Sequence, residues 1–107
     1  MSEIVVLVTA GSEDEARKLA RSVVEKEIAA CVTIIPHVRS LFRWGGQIAE
    51  EQECLLLVKT IDEAFESLER AIKSVHSYQV PEIIALPIQY GSREYLTWLK
   101  EMCRRHC

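Results

Sequence analysis

The stretch His76-Ser77-Tyr78-Gln79-Val80-Pro81-Glu82 places an imidazole, a phenol and a carboxylate within one short run. Such side chains hold metal ions, move protons or bind small polar ligands. Pro81 removes a backbone donor, fixes its own φ and biases Val80 towards extended geometry. The trio therefore stands on a stiff entrance to the apolar run Ile83-Ile84-Ala85-Leu86-Pro87. His76 has three open roles: a hydrogen-bonded histidine at a helix C-terminus, a metal ligand, or an acid–base group. Lys59, Tyr78 and Glu82 have two. They suit a polar network at a subunit boundary, or a small-ligand pocket walled by Trp44 and Trp98. No nucleophile–base–orienter set is visible by spacing, and no Gly-rich run resembles a phosphate cradle.

Composition narrows the classes. A chain of 107 residues, 49% hydrophobic and 27% charged, reads as one globular domain over 1–107. Its formal net charge of −3 argues against nucleic-acid binding, which depends on clustered Lys and Arg. The longest apolar run, Ile4 to Val8, is far short of the roughly 20 residues that span a bilayer. With no address visible, the cytoplasm is the expected location. The four cysteines form no Cys-x-x-Cys pair, and Cys31 and Cys54 read as buried, reduced thiols. Cys103, His106 and Cys107 end the chain, where adventitious metal affinity is expected rather than a built site. Glu50-Glu51-Gln52-Glu53 reads as a solvated strand edge, with weak hard-ion contacts as a second use.

The periodicity gives the elements that position these residues. Ile4 to Thr9 is a strand, and Ser12 with Glu15 forms a capping box that opens a helix. Cys31 to Ile35 is extended, Pro36 marks a bulge or an edge position, and Val38 to Trp44 resumes the strand. Gly45-Gly46 turns it into a third strand, Ile48 to Thr60, as an antiparallel hairpin. Thr60 with Glu63 predicts a second capping box, before a helix whose inner face carries Phe65, Leu68, Ile72 and Val75. Ile83 to Tyr90 is the fourth strand, and Ser92 caps a last helix carrying Leu96, Leu99 and Cys103. This order predicts an α+β, ferredoxin-like βαββαβ sandwich with a long β2–β3 hairpin and a C-terminal helix. Right-handed crossovers put the first and third strands in the centre.

Those two central runs, Ile4 to Val8 and Cys54 to Val58, are apolar without interruption. Alternate residues point to opposite faces, so both faces of the sheet are apolar, yet helices cover one. Leaving four to six large side chains wet would forfeit about 1.5–3 kcal/mol each. That rivals a domain's whole stability of about 5–15 kcal/mol. The last helix covers part of the open face, and copies of the chain are the expected cover for the rest. The hairpin, with Leu41, Phe42, Trp44 and Ile48, exposes edges and aromatics that another subunit would cover.

Ala29-Ala30-Cys31-Val32, Ile35-Pro36, Ser40, Trp44 with Gly46, Lys59-Thr60, His76, Tyr78, Val80-Pro81-Glu82-Ile83, and Gly91 followed by Tyr95-Leu96 and Trp98 form a combination that spans nearly the whole chain. In this combination the chain resembles the CutA divalent-cation tolerance proteins. The resemblance implies a ferredoxin-like subunit in a homotrimer with hairpins pairing between subunits, and a likeness to PII signalling proteins. It also implies an association with copper and other divalent cations, and no established catalytic activity. Of the copper ligands proposed in the family, a Cys and one His fall at Val8 and Val75 here, while the second His is His76. A soft copper site wants thiolate with imidazole, so copper is expected to bind weakly. The metal candidates are His76 and Glu82, and the ligand-binding candidates are Trp44, Lys59, Tyr78 and Trp98. The expected function is a trimeric, metal-responsive or signalling-type binding protein with no required cofactor. A PII-like regulator of a partner protein or small ligand without physiological metal binding is the alternative, and an acid–base enzyme using His76, Tyr78 and Glu82 is the third reading. An RRM-like RNA binder shares the topology, but Val and Leu stand where its aromatics would be. No membrane partner is expected.

Overall fold

A computed structural model describes residues 2–103. The chain forms β1 (Glu3–Ala10), α1 (Glu13–Glu25), β2 (Cys31–Trp44), β3 (Gln47–Ile61), a 3-10 turn (Asp62–Ala64), α2 (Phe65–Val75), β4 (Ile83–Pro87) and α3 (Arg93–Met102). The four strands make one antiparallel sheet in the order β2-β3-β1-β4, so the uninterrupted apolar runs of β1 and β3 are central. This is the ferredoxin-like α+β arrangement. No helix among the described residues is long and apolar enough to cross a membrane.

Register assigns every strand residue to a face. Val6 pairs with Val58 and Val8 with Leu56, and these side chains pack against Leu19 and Val23 of α1 and Leu68 and Ile72 of α2. All are buried. The intervening residues, Val5, Leu7, Leu55 and Leu57, point the other way and are only half-buried. Ile84 and Leu86, which pair with Leu7 and Val5, keep 49% and 48% of their surface exposed. The sheet thus has one dry face and one apolar face partly open to water. α3 lies against the ends of β1 and β3, where Leu99 is buried. Lys100 pairs with Glu3 at 3.2 Å, and Cys103 packs beside Thr60.

Local chemistry explains the joints. Ser12 Oγ accepts the Glu15 N–H at 3.2 Å, the expected start of α1. α1 ends in a Schellman motif: Glu27 N–H reaches Val24 O and Ile28 N–H reaches Val23 O. Glu27 occupies the left-handed position there at φ 60°, with no glycine to relieve it. In β2, Ile35 pairs with Leu55 but the next pair is Val38 with Glu53, so β2 uses one extra residue. This bulge sits at Pro36-His37, with His37 at φ 61°. It switches the faces of β2, so Ser40, Phe42 and Trp44 lie on the open-face side with Glu51 and Ala49. Gly45 and Gly46, at φ 60° and 79°, make the two-residue turn that the primed hairpin geometry requires.

Three expectations are corrected. Thr60 caps no helix: it pairs with Ile4 inside β3, and its hydroxyl donates to Ile28 O at 2.6 Å. Buried there, it cannot serve the backbone three residues on, and α2 begins without a side-chain cap. The fourth strand stops at Pro87 instead of Tyr90 because its partner runs out. β1 begins at Glu3, whose carbonyl takes the Ile88 N–H at 3.0 Å. Val75 does not line the inner face of α2, being 52% exposed at its last turn.

Candidate functional site

A groove of about 730 Å³ lies between the hairpin and the segment that enters β4. Ser40, Phe42 and Trp44 from β2 line one side, with Ala49, Glu51 and Glu53 from β3. Tyr78, Val80 and Glu82 line the other side. Three carboxylates and no basic side chain line this space. The bulge puts it there, since without the face switch Phe42 and Trp44 would point away from Glu51 and Glu53.

Tyr78 is the centre of the wall. Its hydroxyl donates to Glu53 Oε2 at 2.6 Å, and burial, reinforced by this bond and the carboxylate's charge, pushes its pKa well above the usual phenol range. Glu53 is 7% exposed, although a carboxylate at such depth needs a donor. The Tyr78 ring packs on Gly11, where an added Cβ would stand 3.3 Å from the phenol oxygen. It also tilts against the His76 ring, 4.7 Å between centroids.

His76 fills the hydrogen-bonded role among the three open to it. Its side chain is fully buried. Nδ1 accepts the Tyr78 N–H at 3.0 Å, so the proton sits on Nε2, which donates to Thr9 O at 2.6 Å. A metal at Nδ1 would have to displace the bond that orients Tyr78. Behind it, Glu15 ties two segments together. Its carboxylate accepts Gly11 N–H at 3.0 Å, Ser77 N–H at 2.6 Å and the Ser77 hydroxyl at 3.2 Å. Burial pushes the Glu15 carboxyl up, but these donors outweigh it and hold the pKa below the ordinary value. The capping box is thus rearranged, its carboxylate serving Gly11 and Ser77.

The other candidates lie elsewhere on the sheet. Lys59 Nζ is 2.5 Å from Thr33 Oγ1 and 3.8 Å from Cys31 Sγ. Tyr95 lies near Cys31, and burial followed by that thiol raises the Tyr95 pKa. Trp98 stacks obliquely on Tyr95 at 5.5 Å. Lys59 stands six residues along β3 from Glu53, roughly 20 Å at strand rise. Within one chain the ligand-binding candidates therefore form two groups, Trp44 with Tyr78 and Lys59 with Trp98. Glu82 lines the groove as an exposed carboxylate, whereas His76 lies behind its wall. Among the described residues, no three His, Cys, Asp or Glu side chains gather closely enough to hold a metal. The cluster expected at Cys103, His106 and Cys107 extends outside the described residues.

Read from sequence, Glu53 belongs to a solvated strand edge and Glu15 to a capping box, whereas Glu53 is buried under Tyr78 and Glu15 joins Gly11 to Ser77. Glu53 carries a signal: it stands two residues before Leu55, hence on the same half-covered face. Glu15 carries none, because its second partner, Ser77, is 62 residues away.

Residues 4–102 match the model of the CutA1 divalent ion tolerance protein family. The chain belongs to this family. It is 54% identical over 99 residues to the divalent-cation tolerance protein CutA of Thermus thermophilus, covering 92% of this chain and 96% of that one. The solved structure of the Thermus protein superposes with a TM-score of 0.91. A solved CutA of Archaeoglobus fulgidus, described as a periplasmic divalent cation tolerance protein, is 39% identical with a TM-score of 0.92, covering 94% of this chain and 98% of that one. Human CutA is 42% identical over 95 residues, 89% of this chain but 53% of that protein. The chain thus spans about half the length of the human relative, and 56% of the chloroplastic one from Arabidopsis thaliana. The family model and the Thermus and Archaeoglobus proteins are named for tolerance of divalent ions and not for a reaction.

Proposed function

We propose that the chain is a non-catalytic binding protein of divalent-cation tolerance, working in the cytoplasm as a homotrimer whose grooves take a cation or small ligand. The observation that carries this reading is the acidic groove at the foot of the hairpin, built around the Tyr78–Glu53 bond. Trimerisation is supported by the half-exposed apolar face of the sheet, since another subunit would shed its water. Assembly would also offer a way to bring Lys59 and Trp98 of one copy towards the groove of another. Copper binds weakly in this account, because both His76 nitrogens already hold backbone groups. The carboxylates along the groove favour harder divalent ions over copper but hold them only loosely, since no three of them gather into one coordination site among the described residues.

Calorimetric titration with Cu²⁺, Zn²⁺ and Mg²⁺ tests the metal-responsive form of this reading. The expected result is weak, carboxylate-dependent binding that a Glu53→Gln, Glu82→Gln double variant loses. If no ion binds more tightly than about 0.1 mM, metal sensing is to be abandoned. A PII-like regulator of a partner protein is the second reading. It is favoured by the hairpin tip, where Leu41, Trp44 and Ile48 are about two-thirds exposed at 65%, 66% and 65%.

A further inference from the structure

The groove lies on the sheet face that copies of the chain close, so its charges have to be balanced within the assembly. Glu51 and Glu53 of β3 and Glu82 before β4 line it, and no basic side chain of the same chain does. Glu53 is buried; its Oε2 takes the Tyr78 hydroxyl, and among the described residues of one chain nothing donates to Oε1. A neighbour that covered these carboxylates without bringing a cation would bury unpaired charge, a cost that works against the apolar area gained.

Strand register leaves one strand residue to supply that cation. Paired residues share a face, so Lys59, opposite Val5 and Cys31, stands on the open face with Leu55 and Leu57. Arg39 and Arg43, opposite Gln52 and Ile48, stand on the other face, and Arg39 is held by Glu50 at 3.1 Å. Lys59 is half-buried, yet its partners among the described residues are the neutral Thr33 hydroxyl and Cys31 thiol, with no carboxylate. Its ammonium therefore leans over β2, one edge strand, while the groove runs to the entry of β4, the other edge strand. A ring of copies makes heterologous contacts, in which one region of a chain meets a different region of the next. An acidic and a basic region set apart on one face are the two halves of such a contact.

We propose that the groove is a two-chain site, in which the Lys59 ammonium of each copy enters the groove of the next and pairs with Glu53 at the Oε1 that Tyr78 leaves open. One copy gives the carboxylates and the phenol, and its neighbour gives the cation. The assignment rests on the homotrimer proposed above and names the residue that a second copy contributes to the groove. Charge complementarity of this kind selects the register in which two apolar faces meet.

The test is carbodiimide coupling of the native full chain, followed by digestion and mass spectrometry. The reagent condenses a lysine amine with a carboxylate in contact with it, leaving an amide and no spacer. Within one chain Lys59 stands roughly 20 Å along β3 from Glu53, and further from Glu51, so a peptide linking Lys59 to either joins two copies. Such a peptide is expected, with covalent dimers and trimers on a denaturing gel. Lys59→Met keeps the apolar stem and removes the charge, and should weaken assembly at least about tenfold in sedimentation at low salt, with Lys59→Arg close to native. If Lys59→Met fails to fold, the coupling result on the native chain decides. The proposal is overturned if the native assembly gives no Lys59 link to Glu53 or Glu51, or if Lys59→Met assembles as tightly as the native chain. A trimer without the link refutes this inference and leaves the homotrimer standing. A chain that stays single refutes both.

Discussion

Tyr78 and Glu15 fasten the same wall with opposite titration behaviour, and each makes a prediction. Tyr78→Phe removes the donor to a buried carboxylate and should cost about 1–3 kcal/mol at neutral pH, read by urea denaturation. The phenol pKa is raised by folding, so its contribution is complete below the unfolded value near 10 and lost as pH rises through the folded one. The advantage of the native chain over Tyr78→Phe should therefore narrow above about pH 10. An advantage that stays constant to higher pH would contradict the burial of the phenol. Glu15 behaves in reverse, because its pKa is lowered in the fold. Glu15→Gln should cost about 1–3 kcal/mol at neutral pH by weakening the bonds to Gly11 and Ser77. The native advantage should shrink as pH falls below the ordinary glutamate value and through the folded one, measured as Tm at a series of pH values.

At the scale of elements, two backbone positions carry strain that sequence does not advertise. Glu27 sits in the left-handed region at the end of α1, a position that glycine normally takes. Glu27→Gly should stabilise the chain by about 0.5–1 kcal/mol, seen as a rise in Tm. His37 holds the bulge at φ 61°. His37→Val should cost about 1–3 kcal/mol and disturb the groove, because the bulge sets which face Phe42 and Trp44 occupy. The elements themselves were legible: the uninterrupted apolar runs of β1 and β3, the Gly45-Gly46 turn, and the caps at Ser12 and Ser92. Pro36 signalled the bulge, but its consequence for the faces of β2 depends on pairing with β3. Thr60-Ile61-Asp62-Glu63 misled because a capping pattern is local, whereas the burial of Thr60 is decided by Ile4 and Ile28. The site was half legible for the same reason. Tyr78 and Glu82 lie together in sequence, while Glu53 and Glu15 reach them only through the fold.

At the scale of the molecule, β1, β3 and β4 present an apolar surface that one chain covers incompletely. Ile84 and Leu86 are half exposed, and covering each would add about 1 kcal/mol from area alone. Leu86→Lys should weaken assembly far more than it weakens the helix-side core, since Leu86 faces away from α1 and α2. Sedimentation velocity at micromolar concentration measures this most directly. A species of three times the 12.2 kDa chain is predicted, with Leu86→Lys shifting mass towards smaller forms. A stably folded species of 12.2 kDa, unchanged by Leu86→Lys, would contradict the claim that this sheet is closed by copies of its own chain.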